Sequence, residues 1–188
     1  MYGSGCRRTS YGDATTNVKE EMFKMSKFYI AYGSNLNMQQ MSRRCQDAKF
    51  VGTGMIDNYE LVFRGSRHSA VATVEPKSGS KVPVGIWEIS DRDERSLDVY
   101  EGFPRLYVKK PMLISQDNVQ HEAMLYVMND GYDYGMPNSR YYNTILQGYN
   151  DCHLDSRYLK ESVECMYDIV EKMEIEEKYP LGYKDLRQ

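Results

Sequence analysis

Apolar and β-branched residues fall in short runs over the first two thirds of the chain and at helical spacing over the last third. Phe28-Tyr29-Ile30-Ala31-Tyr32 is the first such run; Gly33-Ser34-Asn35 stops it, so it reads as a strand. A short helix fits residues 36–45, with Ser34 or Asn35 able to cap it. Strand-like runs recur at 50–55, 59–63, 70–75 and 82–89, separated by turn signals at Asp57-Asn58, Gly65-Ser66 and Lys77-Ser78-Gly79-Ser80. Ser90 and Asp93 have capping-box spacing, predicting a helix to Tyr100 or Glu101 that Gly102 and Pro104 end. Residues 107–115 and 122–128 read as two more strands around a polar turn.

Helical spacing then takes over. Tyr142, Ile145, Leu146 and Tyr149 make one face of a helix beginning near Asn138 or Ser139. A longer helix over 155–178 carries Leu159, Val163, Met166, Val170 and Met173 as a stripe. That stripe reads as a surface helix packed on its own domain, with a homodimer contact as the alternative. Strands followed by helices predict an α+β fold built on a mixed, β-barrel-like sheet with flanking helices. Residues 1–24 lack either period and are rich in Gly, Ser and Thr, which reads as a disordered leader without chemistry. Met22 and Met25 stand as candidate starts just before the first strand. The expected organisation is thus a leader (1–24), a main domain (25–158) and a C-terminal helix and tail (159–188).

Composition narrows the function. Twenty-four basic residues against twenty-seven acidic ones leave a formal charge of −3, which argues against a nucleic-acid-binding protein. No apolar run reaches the roughly 18–20 residues that span a membrane. Cys6, Cys45, Cys152 and Cys165 form no C-x-x-C pair, and Cys152-His153 is their one adjacency to a histidine. No metal site is expected; the cysteines read as thiols in a reducing cytoplasm. Seventeen tyrosines are unusual, and tyrosine makes amphipathic pocket linings as well as ordinary cores.

Two segments could carry chemistry. Tyr32-Gly33-Ser34-Asn35-Leu36 sits at a strand-to-helix turn, where free backbone N–H groups and a helix N-terminus form a small anion receptor. A plain capped loop is the competing reading. Glu101 lies at the C-terminal end of its predicted helix, where the dipole opposes ionisation. Desolvation by Tyr100 and Phe103, with Asp98 as a like-charged neighbour, would raise its pKa toward the range useful for proton transfer. A solvated glutamate is the competing reading here. Arg105, Lys109 and Lys110 read as a solvated strand face.

Together these pieces resemble the γ-glutamylcyclotransferase-like (avirulence-induced-gene-like) family. The resemblance is carried by Tyr29-Ile30-Ala31-Tyr32-Gly33-Ser34-Asn35-Leu36, then Gly85-Ile86-Trp87, Leu97-Asp98-x-x-Glu101-Gly102, Tyr107, Tyr126 and Pro137-x-x-x-Tyr141. It covers about residues 25–158. It implies a five- or six-stranded barrel-like sheet and an intramolecular aminolysis that releases 5-oxoproline from a γ-glutamyl amino acid or amine. Glu101 would be the general acid and base. The segment Tyr29, Ile30, Ala31, Tyr32, Gly33, Ser34 and Asn35 would bind the substrate, with Tyr107, Tyr126 and Tyr141 lining the pocket. No metal, cofactor or covalent nucleophile is implied, and the partner is a small γ-glutamyl molecule. The alternatives are a non-catalytic binding protein on the same fold, or an interaction module acting through the C-terminal stripe.

Overall fold

The computed structural model describes residues 27–116 and 119–178; the expected leader lies outside them. Five strands form one mixed sheet: β1 (Lys27–Ala31), β2 (Lys49–Arg64), β3 (Val71–Ile89), β4 (Tyr107–Gln116) and β5 (Val119–Met128), in the order β2-β3-β1-β5-β4. β1 is central, antiparallel to β3 and parallel to β5. Covered on both sides, it reads as a continuous apolar run, and Ile30 and Ala31 are almost wholly buried. The outer strands β2 and β4 approach each other where residues 55–57 and 112–114 share a groove, which gives the sheet its barrel-like curl.

Four of the expected strands merge into two. β2 runs through the Asp57-Asn58 turn signal, and β3 runs through Lys77-Ser78-Gly79-Ser80. The two signals face each other in the hairpin. Asn58 adopts φ 61°, its side-chain oxygen accepts the Gly79 N–H at 3.0 Å, and the ladder resumes at Tyr59↔Pro76. A pair of turn sequences opposite one another makes a bulge rather than a chain reversal. Gly65-Ser66 does end β2.

The first helix starts later than its sequence implies. Ser34–Leu36 forms a single 3-10 turn, and α1 (Met38–Arg44) is capped by Asn37, whose side chain accepts from the Gln40 N–H at 2.9 Å. Asn37 takes the cap because the 3-10 turn places it, rather than Ser34 or Asn35, in extended geometry at the helix start. The side chains of Ser34 and Asn35 are thereby released for other contacts. α2 (Asp91–Glu101) carries the expected Ser90–Asp93 capping box, and Gly102 closes it in the left-handed conformation at φ 65°. α3 (Ser139–Asp151) is capped by Asn138.

α3 lies against the 3-10 turn at Gly148. A Cβ there would stand 2.6 Å from the Asn37 nitrogen and from the Leu36 Cβ, so only glycine permits this approach. α4 (Arg157–Lys178) packs on β2, where the Ser162 hydroxyl donates to the Leu61 carbonyl at 2.6 Å. Leu159 and Met166 of its stripe join the same core as Ile30, Leu36, Ile86, Leu97 and Ile145. Among the described residues, no helix is long and apolar enough to cross a membrane.

Candidate functional site

The C-terminal end of β1, the 3-10 turn, the end of α2, β4, β5 and α3 converge on a cavity of about 190 Å³. Six tyrosines line it: Tyr29, Tyr32, Tyr100, Tyr107, Tyr126 and Tyr141. Glu101 is the acidic group among them. Its pKa is pushed up to about 7 by burial, while the charge of Arg44 and the hydrogen bond from Asn35 pull the other way. Glycine at position 102 turns the chain sharply after Glu101, so the carboxylate stays at the cavity wall.

Asn35 connects the two expected segments. Its Nδ2 donates to Glu101 Oε1 at 2.8 Å and to the Tyr29 hydroxyl at 2.7 Å. The segment that precedes it divides by position. Tyr29, Tyr32, Gly33, Ser34 and Asn35 line the cavity. Ile30 and Ala31 instead face the core, with their backbones in register with Ile86 and Gly85 of β3. The 3-10 turn is closed by Leu36 N–H to the Gly33 carbonyl and Asn37 N–H to the Ser34 carbonyl, so the Ser34 and Asn35 amides precede its bonds.

The tyrosine hydroxyls are not equivalent. Tyr107 donates to the Ala72 carbonyl at 2.6 Å, Tyr126 to Asp98 Oδ1 at 2.6 Å and Tyr32 to the Tyr126 carbonyl at 2.5 Å. Their protons are committed. Tyr29 accepts from Asn35, and Tyr141 accepts from the Ala72 N–H at 3.2 Å, so these two hydroxyls keep a proton for a ligand. Burial drives the pKa of all these phenols upward, which keeps them protonated at neutral pH.

Two expected neighbours of Glu101 lie elsewhere. Asp98 is engaged by Tyr126 and by Lys109, whose Nζ is 2.7 Å away, and burial rather than Asp98 raises Glu101. Phe103 is 39% exposed with Lys109 4.8 Å from its ring centre, so the desolvating wall is the tyrosine ring set. Lys109 also pairs with Glu94 at 2.6 Å and Lys110 donates to the Tyr59 hydroxyl at 2.5 Å, so the basic strand residues are partnered rather than merely solvated.

Sequence reasoning missed Arg44. Its guanidinium sits 3.5 Å over the Tyr100 ring and donates to Asn35 Oδ1, to Gln40 and, at 3.3 Å, to Ser34 Oγ. No motif marks it, because the contact depends on the rotation of α1 about its axis. Among the described residues, no group of three His, Cys, Asp or Glu side chains is placed to hold a metal ion. The site offers a proton-accepting carboxylate and two free phenolic donors around a small, largely tyrosine-lined volume.

Residues 29–149 match the family described as "Gamma-glutamyl cyclotransferase, AIG2-like". A γ-glutamylcyclotransferase from Homo sapiens is 26% identical over 167 residues, covering 84% of this chain and 83% of its own. One from Bos taurus is 26% identical over 145 residues, covering 72% of this chain and 77% of its own. A solved structure described as a γ-glutamyl cyclotransferase superposes with a TM-score of 0.66 at 23% identity. It covers 78% of this chain and 99% of its own, so the α+β arrangement is shared.

Proposed function

Since the chain belongs to the γ-glutamyl cyclotransferase, AIG2-like family, we propose that it releases 5-oxoproline from a γ-glutamyl amino acid or γ-glutamyl amine, with Glu101 as general acid and base. The observation that carries this reading is the Glu101 carboxylate itself: desolvated, tied to Asn35 and facing a cavity of glutamyl size with a pKa near 7. A base poised near neutrality is what proton shuttling requires.

The reaction needs little beyond positioning and proton movement. A folded γ-glutamyl chain held in the cavity already contains nucleophile and electrophile, so ring closure is unimolecular. Glu101 takes a proton from the substrate α-ammonium. The freed nitrogen pair attacks the γ-carbonyl carbon, forming the ring C–N bond and moving charge onto the carbonyl oxygen. The Tyr29 and Tyr141 hydroxyl protons are available to that oxygen, and the Ser34 and Asn35 amides to the α-carboxylate. Glu101 then protonates the leaving nitrogen as its bond to carbon breaks. The second proton of the ring nitrogen follows the same route, leaving Glu101 as carboxylate. Two protons leave the α-ammonium and two reach the departing amine, so the enzyme ends unchanged.

The test is Glu101→Gln, assayed for 5-oxoproline release from a panel of γ-glutamyl amino acids and amines. The expected loss is about 10²–10⁴-fold with retained circular dichroism. Near-full turnover in the folded variant would overturn the assignment.

A further inference from the structure

The hydrogen bonds around Asn35 admit one orientation of its amide. A guanidinium has donors and no acceptor. Arg44 donates to the Asn35 side chain, so the oxygen of that amide must face Arg44. The NH₂ group must then face the other way, toward Glu101 Oε1 at 2.8 Å and the Tyr29 hydroxyl at 2.7 Å. Both amide protons and the amide oxygen are spent. An NH₂ group can donate to a carboxylate but cannot accept from a protonated carboxylic acid. The Asn35 contact therefore favours the base form of Glu101 for as long as Arg44 prevents the amide from turning over.

Arg44 is itself well held. Its guanidinium sits over the Tyr100 ring, whose hydroxyl is 3.1 Å from Ser34 Oγ; Gln40, one helical turn back, accepts from its other terminal nitrogen. It is half-buried at the end of α1, whereas its neighbour Arg43 is exposed. The planar fork meeting three acceptors and an aromatic face is a role that lysine fills only in part.

We propose that Arg44 is a positioning residue for the reaction: acting through Asn35 and through its own charge, it keeps Glu101 ready to accept a proton. The groups that face Glu101 are Arg44 from α1, Tyr29, Tyr32 and Asn35 from β1 and the turn after it, Tyr100 from its own helix, Tyr107 from β4, Tyr126 from β5 and Tyr141 from α3. Of these, Arg44 alone is a cation. Its removal leaves a carboxylate among phenols, with an amide free to present its oxygen, and both changes favour the protonated acid.

This inference rests on the proton-shuttle reading of Glu101, so the experiment has one arm that needs no turnover. The Glu101 carboxyl is titrated by ¹³C NMR in the free wild-type protein and in Arg44→Ala, Arg44→Gln and Arg44→Lys, with Arg43→Ala as control. Proton affinity is expected to rise at least about tenfold in the Ala and Gln variants, to return toward wild type in the Lys variant, and to stay unchanged in the control. In the kinetic arm, kcat/KM at pH 7 falls about fivefold or more in Arg44→Gln and recovers near pH 9, a rescue that a general loosening of the fold would not give. An unchanged carboxyl midpoint in folded Ala and Gln variants overturns the proposal, as does an activity loss that persists at pH 9. A shifted midpoint in a protein that turns over no γ-glutamyl compound sustains the Arg44 assignment and refutes the cyclotransferase reading instead.

Discussion

Replacing Glu101 by Gln should make the protein more stable at alkaline pH while it destroys turnover. In the unfolded chain the Glu101 carboxyl titrates near its ordinary value of 4.5, and in the folded protein burial pushes it up to about 7. Between those values the folded state binds more proton than the unfolded state, so the residue makes stability fall as pH rises through that window and adds no further dependence above it. At about 1.36 kcal/mol for each tenfold change in proton affinity, a rise from 4.5 to about 7 costs the ionised native state about 3 kcal/mol at pH 8. A neutral Gln still accepts from Asn35, through a weaker neutral hydrogen bond worth about 1 kcal/mol less than the charged one. The expected net gain for Glu101→Gln is about 2 kcal/mol at pH 8, shrinking to nothing or slightly below near pH 4.5. Urea unfolding of both proteins at pH 8 and pH 5 measures it. A wild type as stable as the variant at pH 8, or a difference that does not change with pH, would refute the desolvation argument.

Two further outcomes follow from the same geometry. The acidic limb of kcat/KM should have its midpoint near pH 7, set by free Glu101, while the limb of kcat lies lower because the bound α-ammonium favours the carboxylate; both limbs should vanish in the residual activity of Glu101→Gln. Gly148→Ala gains about 1 kcal/mol of helix propensity, but its methyl would meet the Leu36 and Asn37 backbone at 2.6–2.7 Å; a net loss of about 1–2 kcal/mol in thermal unfolding is expected, and an unchanged or higher Tm would show that α3 can move away without cost.

The local signals of α2 and α3 stand in the structure. The Ser90–Asp93 capping box, the Gly102 stop and the apolar face of α3 each depend on residues three or four apart, and each stands where its spacing places it. The segment around Asn35 and the glutamate at position 101 were legible for the same reason, as breaks in local periodicity. Their meeting was not, because 66 residues separate them and the two long strands β2 and β3 intervene. Asn37 outcompeted Ser34 and Asn35 as a cap through the phase of one 3-10 turn, which residue type does not encode. The two turn signals inside the long hairpin misled because their effect depends on facing each other. Arg44 and the Asp98–Tyr126–Lys109 contacts share this character: ordinary residue types, given their task by a partner outside their own helix or strand.

The contact between Tyr141 and the Ala72 amide, 69 residues apart, means that the cavity has all its walls only when α3 is in place. On the ribosome, the Asn35 loop and Glu101 emerge well before α3, and until α3 docks the cavity lacks one wall. An open carboxylate in water titrates like any surface glutamate. With α3 in place at Gly148, Tyr141 supplies one wall of the cavity in which burial raises the proton affinity of Glu101. On the role proposed for Glu101, a chain truncated ahead of residue 141 is expected to carry its glutamate without turnover.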